Sequence, residues 1–100
     1  MTIDNTTWLY VAVLKTGPSE QIVGQTDTEQ EIDYIPAFLN KEAAQQALFH
    51  LHLQRKKKYE VQAIIYEDLA RHAADNGFLI FVLDEDGTVL ERLAGANGGR

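Results

Sequence analysis

Hydrophobic residues are grouped in short blocks along the chain, and polar or turn-forming residues separate the blocks. Two blocks, residues 8–14 and 78–83, are uninterrupted and rich in aromatic and β-branched side chains. Continuous apolar runs of this length are typical of strands that are covered on both faces of a sheet. We therefore predict that both segments are central strands.

Three further strands are predicted from alternation and turn signals. Residues 32–39 and 59–65 alternate along their length, as strands do when successive side chains point to opposite faces. Residues 88–93 follow a predicted hairpin turn at residues 84–87. Pro36 cannot donate a ladder hydrogen bond, which favours either an edge position for its strand or a strand that ends near it.

The segment after the first strand begins with the chain-breaking pair Gly17-Pro18. A loop over the whole of residues 15–31 would be unusually long for a small domain. We therefore predict a short return strand within residues 20–25, around Ile22 and Val23.

Two helices are predicted. The first begins at the N-cap residue Asn40 and extends to about Leu53 or Lys56. Its apolar stripe consists of Ala44, Ala47, Leu48 and Leu51. The second covers residues 66–76, and Gly77 fits the position that follows its last turn.

Phe49 and Leu53 are one turn apart on nearly the opposite face of the first predicted helix. A domain that buries one stripe of this helix would leave this bulky pair exposed. The pair therefore needs a cover, which is either the 15–31 segment or a second subunit.

The order of elements is β-(β)-β-α-β-α-β-β, where the bracketed strand is the short return strand. This order predicts a single α/β (α+β) domain over residues 1–94, with a flexible tail over residues 95–100. The sheet would be mixed and have five or six strands, with two helices on one face. Because both central strands are apolar on both sides, either one helix covers each face or the bare face docks on another molecule.

Composition restricts the classes of function. The 100 residues include no cysteine, which excludes disulfides, thiolate catalysis and cysteine-ligated zinc and is compatible with a cytoplasmic location. The net charge of −6 makes nucleic acid an unexpected partner. The N-terminus lacks the features of a signal peptide, and the apolar runs are shorter than the ~20 residues of a membrane-spanning helix.

Arg55, Lys56, Lys57 and Lys58 form a compact basic run. Such a run favours a solvated face at the end of a helix, where cations suit the negative end of the helix dipole. The alternative is a docking patch for an acidic partner.

No catalytic, cofactor-binding or metal-binding residue is predicted. His50 and His52 point about 200° apart on a helix, so they are poorly placed to share a metal ion. Residues 84–87, Asp-Glu-Asp-Gly, lack the carboxylates that a calcium loop needs before and after them, which favours a simple turn. The only serine, Ser19, has no nucleophile-elbow context.

Residues 34–44 combine a strand that ends in a Pro-x-Phe step, Pro36 and Phe38, with a capped helix. Together with a helix that opens at Tyr66 and ends near Gly77, this pattern resembles the SseB-like family of small bacterial domains. It is also similar to a group of small uncharacterised α/β proteins from cyanobacteria. Either resemblance implies the fold predicted above and no particular activity or cofactor.

Two hypotheses about function follow. The first is a non-enzymatic protein-interaction or regulatory module, homodimeric or bound to another protein. Its predicted surface comprises Phe49, Leu53, Arg55, Lys56, Lys57 and Lys58. The alternative is a small-ligand-binding domain or weak enzyme, with a site at the carboxyl ends of the parallel strands, where Ile65-Tyr66, Leu83-Asp84 and the start of the first helix would converge.

Overall fold

The elements of the fold follow the predicted order closely. In this computed structural model of the chain, the description covers residues 3–51, 53 and 56–93, so the predicted tail lies outside it. The strands are β1 (Trp8–Thr16), β2 (Ser19–Ile22), β3 (Gln25–Asp27), β4 (Ile32–Phe38), β5 (Lys58–Ile65), β6 (Leu79–Leu83) and β7 (Val89–Leu93). The helices are α1 (Lys41–Ala47) and α2 (Tyr66–Asn76).

The described strands form one mixed sheet. Its main order is β5-β1-β4-β6-β7, with β4 and β6 parallel and the other neighbours antiparallel. β1 and β5 pair over eight consecutive positions, from Trp8 with Ile65 to Lys15 with Lys58. The mixed α/β fold with two helices is thus confirmed, with seven strands because the 15–31 segment contributes two strands rather than one.

β2 and β3 fill a fork in the sheet. β1 and β4 pair directly only at Tyr10 with Phe38 and Val11 with Ala37. Beyond that point the two strands separate, and β2 pairs with β1 while β3 pairs with β4. The long connection is therefore part of the sheet.

Pro36 lies at the branch of this fork. β4 has strands on both edges, so an edge position for the Pro36 strand is wrong. On the edge that faces the fork, the register passes from Tyr34, which pairs with Gln25, to Ala37, which pairs with Val11. A residue without an N–H fits this gap between two partners. The other expectation, a strand that ends near Pro36, agrees with the end of β4 at Phe38.

One helix covers each face of the sheet. On one face, α2 buries Leu69, Ala70 and Ala73 in a cluster with residues of the central strands: Leu9, Val11, Val13, Ile35, Ala37 and Ile80. On the other face, α1 buries Ala44 and Ala47 in a cluster with Phe38, Phe81 and Leu83. The expectation that both helices lie on one face is therefore wrong, and the alternative, in which one helix covers each face of the continuous apolar strands, is confirmed.

The strand order explains this arrangement. β4, β5 and β6 run in the same direction, because β1 is antiparallel to both β4 and β5. The α1 connection runs from β4 past β1 to β5, and the α2 connection returns past β1 and β4 to β6. Crossovers between parallel strands are right-handed. Two right-handed crossovers that run in opposite directions across the sheet must pass over its opposite faces, so α1 and α2 lie on different sides.

α1 is shorter than predicted. It ends at Ala47, and Phe49 and His50 follow in a turn whose amides bond to the carbonyls of Gln46 and Ala47. The predicted continuation to Leu53 or Lys56 is therefore wrong. Leaving the helix allows Leu53 to turn inward, where it contributes to a cavity beside Val23. α2, by contrast, has the predicted bounds.

Candidate interaction surface

Phe49 and Leu53 do not form a common patch. Phe49 is 88% exposed and lies along the outer side of α1. Leu53 is partly buried and lines a cavity of about 180 Å³ with Leu14, Val23 and Tyr59. Of the two covers considered for this pair, the 15–31 segment lies beside Leu53, and Phe49 faces outward.

The basic run lies at the start of β5. Lys56, Lys57 and Lys58 are exposed, and Lys58 is the first residue of the strand. Arg55 lies outside the described residues. Since α1 ends at Ala47, the run is not the end of a helix, and its cations instead flank one end of β5.

β5 has an open edge. Among the described strands it pairs with β1 alone, over its full eight residues. Its odd-numbered residues, Tyr59, Val61, Ala63 and Ile65, share the α1 face of the sheet. The intervening Lys58, Glu60 and Gln62 point to the α2 face.

The direction of the β5 backbone groups follows from one hydrogen bond. The Val23 amide donates to the Ala12 carbonyl at 2.9 Å, so the backbone polar groups of Ala12 point toward the fork. Ala12 is the register partner of Val61. In an antiparallel ladder, the backbone N–H and C=O groups of two facing residues either bond to each other or point away from each other. The N–H and C=O of Val61 therefore point outward to the open edge, and those of Ala63 do the same.

The apolar side of this edge is incompletely covered. Trp8 is 57% exposed and faces Ile65 in the register of β1 and β5. Ala63 is exposed, whereas Val61 and Ile65 are partly buried. No surface at this edge was predicted from the sequence, although Ile65 was named in the ligand-site hypothesis. The alternation of residues 59–65 was the available signal, but it did not show that the strand lies at an edge.

A shallow groove marks the carboxyl ends of two parallel strands, β4 and β6. Its volume is about 590 Å³, and it is lined by Asn40, Glu42, Ala43, Gln45, Gln46, Phe49 and Glu85. The start of α1 and the turn after β6 meet here, as the ligand-site hypothesis expected, but the lining includes Glu85 and neither Leu83 nor Asp84. Ile65 and Tyr66 are absent from this lining. They lie at the end of β5, which β1 separates from β4.

The turn after β6 has the expected turn chemistry. Asp84 Oδ1 accepts hydrogen bonds from the amides of Asp86 and Thr88, both at 2.9 Å. Gly87 has a φ of 87°, a conformation that favours glycine. This carboxylate therefore stabilises its own turn.

The histidines near the end of α1 do not form a metal site within the described residues. His50 is exposed in the turn after α1, and His52 lies outside the described residues. Within the part of the chain that is described, no group of three or more His, Asp or Glu side chains is placed to hold a metal ion.

Shifted pKa values have local causes. The hydrogen bond of 2.9 Å from Lys15 Nζ to Glu20 Oε2 raises the pKa of Lys15 and lowers that of Glu20. Burial raises the pKa of Tyr34, and the charge of Asp27 adds to this effect. Burial also raises the pKa of Tyr66. These shifts arise in an exposed ion pair and in two partly buried phenols.

No protein-family model, curated protein or solved structure matches the chain. The resemblance to SseB-like or cyanobacterial domains therefore stays a prediction. Among the described helices, neither has the length and apolar character needed to cross a membrane.

Proposed function

We propose that the protein is a non-catalytic interaction module of the cytoplasm, which binds a protein partner by adding a strand of that partner to the open edge of β5. The observation that carries this proposal is the eight-residue edge strand, whose Val61 and Ala63 backbone groups point outward. Strand addition uses such groups for affinity and the alternating side chains for specificity.

The incompletely covered apolar side of the edge supports the same function. A large indole at Trp8 and the methyl group of Ala63 lie in solvent on the α1 face. An added strand would extend this face, cover Ala63 and pack its side chains against Ile65, the register partner of Trp8. Apolar groups that cluster at a sheet edge are a feature of docking surfaces rather than of an inert rim.

β7, the edge at the opposite side of the sheet, is a poorer docking element. It has five residues, and its pairing with β6 is shifted between Val82 and Leu83. Short length and a bulge are two ways in which proteins protect an edge from further pairing. β5 pairs with β1 in one uninterrupted register.

A photo-activated cross-linking residue at Glu60, which is exposed on β5, tests this proposal in living cells. We expect a dominant protein adduct that maps to one segment of the partner. The same cross-linker at Leu90, on β7, is the matched control. The adduct should disappear when Ala63→Pro is added, because proline removes an outward-pointing N–H from the edge. An adduct that survives Ala63→Pro, or one that forms equally from Leu90, would contradict strand addition at β5.

A further inference from the structure

We infer that the partner at this edge is a second copy of the chain, with the two β5 strands antiparallel about a two-fold axis at Gln62. This inference rests on the proposed function and names the partner of the same surface. Pairing of this kind would join two sheets into one continuous sheet, and it would be closed, because each copy has one β5 edge.

The two ends of β5 carry charges of opposite sign, so they are complementary when two copies of the strand pair antiparallel. Lys56, Lys57 and Lys58 lie at its beginning, and Glu67 and Asp68 lie in the first turn of α2, directly after its end. All five side chains are exposed. Antiparallel pairing of two copies brings the basic flank of each strand beside the acidic flank of the other. The favourable contact thus occurs twice.

The faces of the sheet restrict the register. Facing residues of an antiparallel pair lie on the same face, so odd-numbered residues must face odd-numbered ones. An axis at Glu60 would place two carboxylates opposite each other, which is unfavourable. An axis at Gln62 places an uncharged amide opposite itself. It also places Val61 opposite Ala63 of the partner subunit, and both residues have outward-pointing backbone groups.

The flanking charges distinguish this register from the neighbouring one. With the axis at Gln62, Lys58 of one copy lies beside Tyr66, the first residue of α2 in the other copy, so the basic residues come next to the helix turn that holds Glu67. With the axis at Val61, Lys58 would instead face Ile64, and the basic residues would stop short of the first turn of α2. The charge pattern therefore favours the axis at Gln62.

The same register continues the apolar rows across the interface. Trp8 faces Ile65 within one copy, and Leu14 faces Tyr59. In the dimer, Ile65 would face Tyr59 of the partner subunit. The row would then run from the exposed indole of Trp8 across both copies of β5, with Ile65 between this indole and Tyr59 of the partner subunit.

Light scattering of the purified full chain provides the first test. We expect a particle of twice the 11.2 kDa chain mass. Ala63→Pro should give the mass of one chain, because the Ala63 amide points to the edge and its loss does not affect the ladder with β1. The matched control Ala63→Thr keeps the N–H and should stay dimeric. A monomeric wild-type protein at the highest concentration that stays in solution, or a dimeric Ala63→Pro variant, would overturn the inference.

A charge exchange tests the register. Lys57→Glu and Glu67→Lys should each weaken the dimer by a factor of several, up to about tenfold, as two exposed pairs allow. The double variant should recover most of the loss, because the opposite charges face each other again. Glu85→Lys, in the turn before β7, is the matched control and should leave the dissociation constant unchanged. If the dissociation constant of the double variant is as high as the two single effects multiplied together, the two charges do not interact and this register is ruled out.

The two proposals can fail separately. A monomeric wild-type protein whose Glu60 cross-link to a different protein is lost in Ala63→Pro would overturn the second copy as partner and leave strand addition supported. A dimer that is insensitive to Ala63→Pro, together with an insensitive cross-link, would overturn both.

Discussion

The amide of Val23 donates a hydrogen bond of 2.9 Å to the carbonyl of Ala12, and this contact orients the backbone in two neighbouring strands. It turns the polar groups of Ala12 toward the fork between β1 and β4. The register partner of Ala12 on the other side is Val61, whose groups therefore point to the open edge of β5. The hydrogen bond of Val23 in the fork thus shows which backbone amides of β5 point to its open edge.

Gly24, between β2 and β3, should be intolerant of a side chain. A Cβ atom there would lie 2.9 Å from Cε1 of Phe78, closer than atoms of this type approach. We expect Gly24→Ala to lower the free energy of unfolding by about 1–3 kcal/mol, measured by urea denaturation. The cost should shrink in a Phe78→Leu background, where the ring is absent. An equal cost in both backgrounds would show that the ring is not responsible.

Asn40 should stabilise the start of α1. Its Oδ1 accepts a hydrogen bond of 2.8 Å from the Ala43 amide. Asn40→Ala should therefore cost about 1 kcal/mol of stability, whereas Asn40→Asp, which retains the acceptor, should cost little. Thermal unfolding of the three proteins would measure the difference, and equal losses in both variants would argue against a capping role.

Substitution of Phe49 should change the stability of the protein little, whereas substitution of Phe38 should lower it strongly. Phe49 is 88% exposed, so Phe49→Asp should change stability by less than about 0.5 kcal/mol. Phe38 is 1% exposed and packs in the cluster beneath α1, so Phe38→Ala should cost about 3–5 kcal/mol. Chemical denaturation of both variants checks the contrast. A large loss in Phe49→Asp would show that the ring is covered in solution.

Stability should decline in alkaline solution partly through Tyr34. Burial raises the pKa of this phenol above its ordinary value of 10.0, and Asp27 adds to the effect. A raised pKa in the folded state means that the contribution is complete below pH 10.0 and is lost as the pH rises through the higher folded value. Tyr34→Phe should make the free energy of unfolding less dependent on pH above this point. Unchanged dependence would assign the decline to other groups, including Tyr66, whose pKa is also raised by burial.

The elements that local patterns specify were predictable. α2 begins at Tyr66 and ends before Gly77, whose φ of 76° is the left-handed conformation that the pattern required. The cap at Asn40 and the two continuous apolar strands are likewise present. In each case the determining interactions lie within a few residues, so composition and spacing carry enough information.

The candidate surface was predictable only in part. The basic residues Lys56, Lys57 and Lys58 were named, and they flank the edge on which the proposal rests. Phe49 and Leu53 were named because a longer helix would have placed them together, and that helix ends at Ala47. Its end is not marked by glycine or proline, so no local signal opposed the continuation.

The sequence by itself determined where α2 and every strand except β3 form, because period, caps and turn residues act over short distances. Only the tertiary structure decided that β2 and β3 enter the fork, that the helices lie on opposite faces, and that β5 is an edge. These three features depend on the order of the strands across the sheet. That order is set by long-range pairing, such as that of Trp8 with Ile65, which no local pattern records.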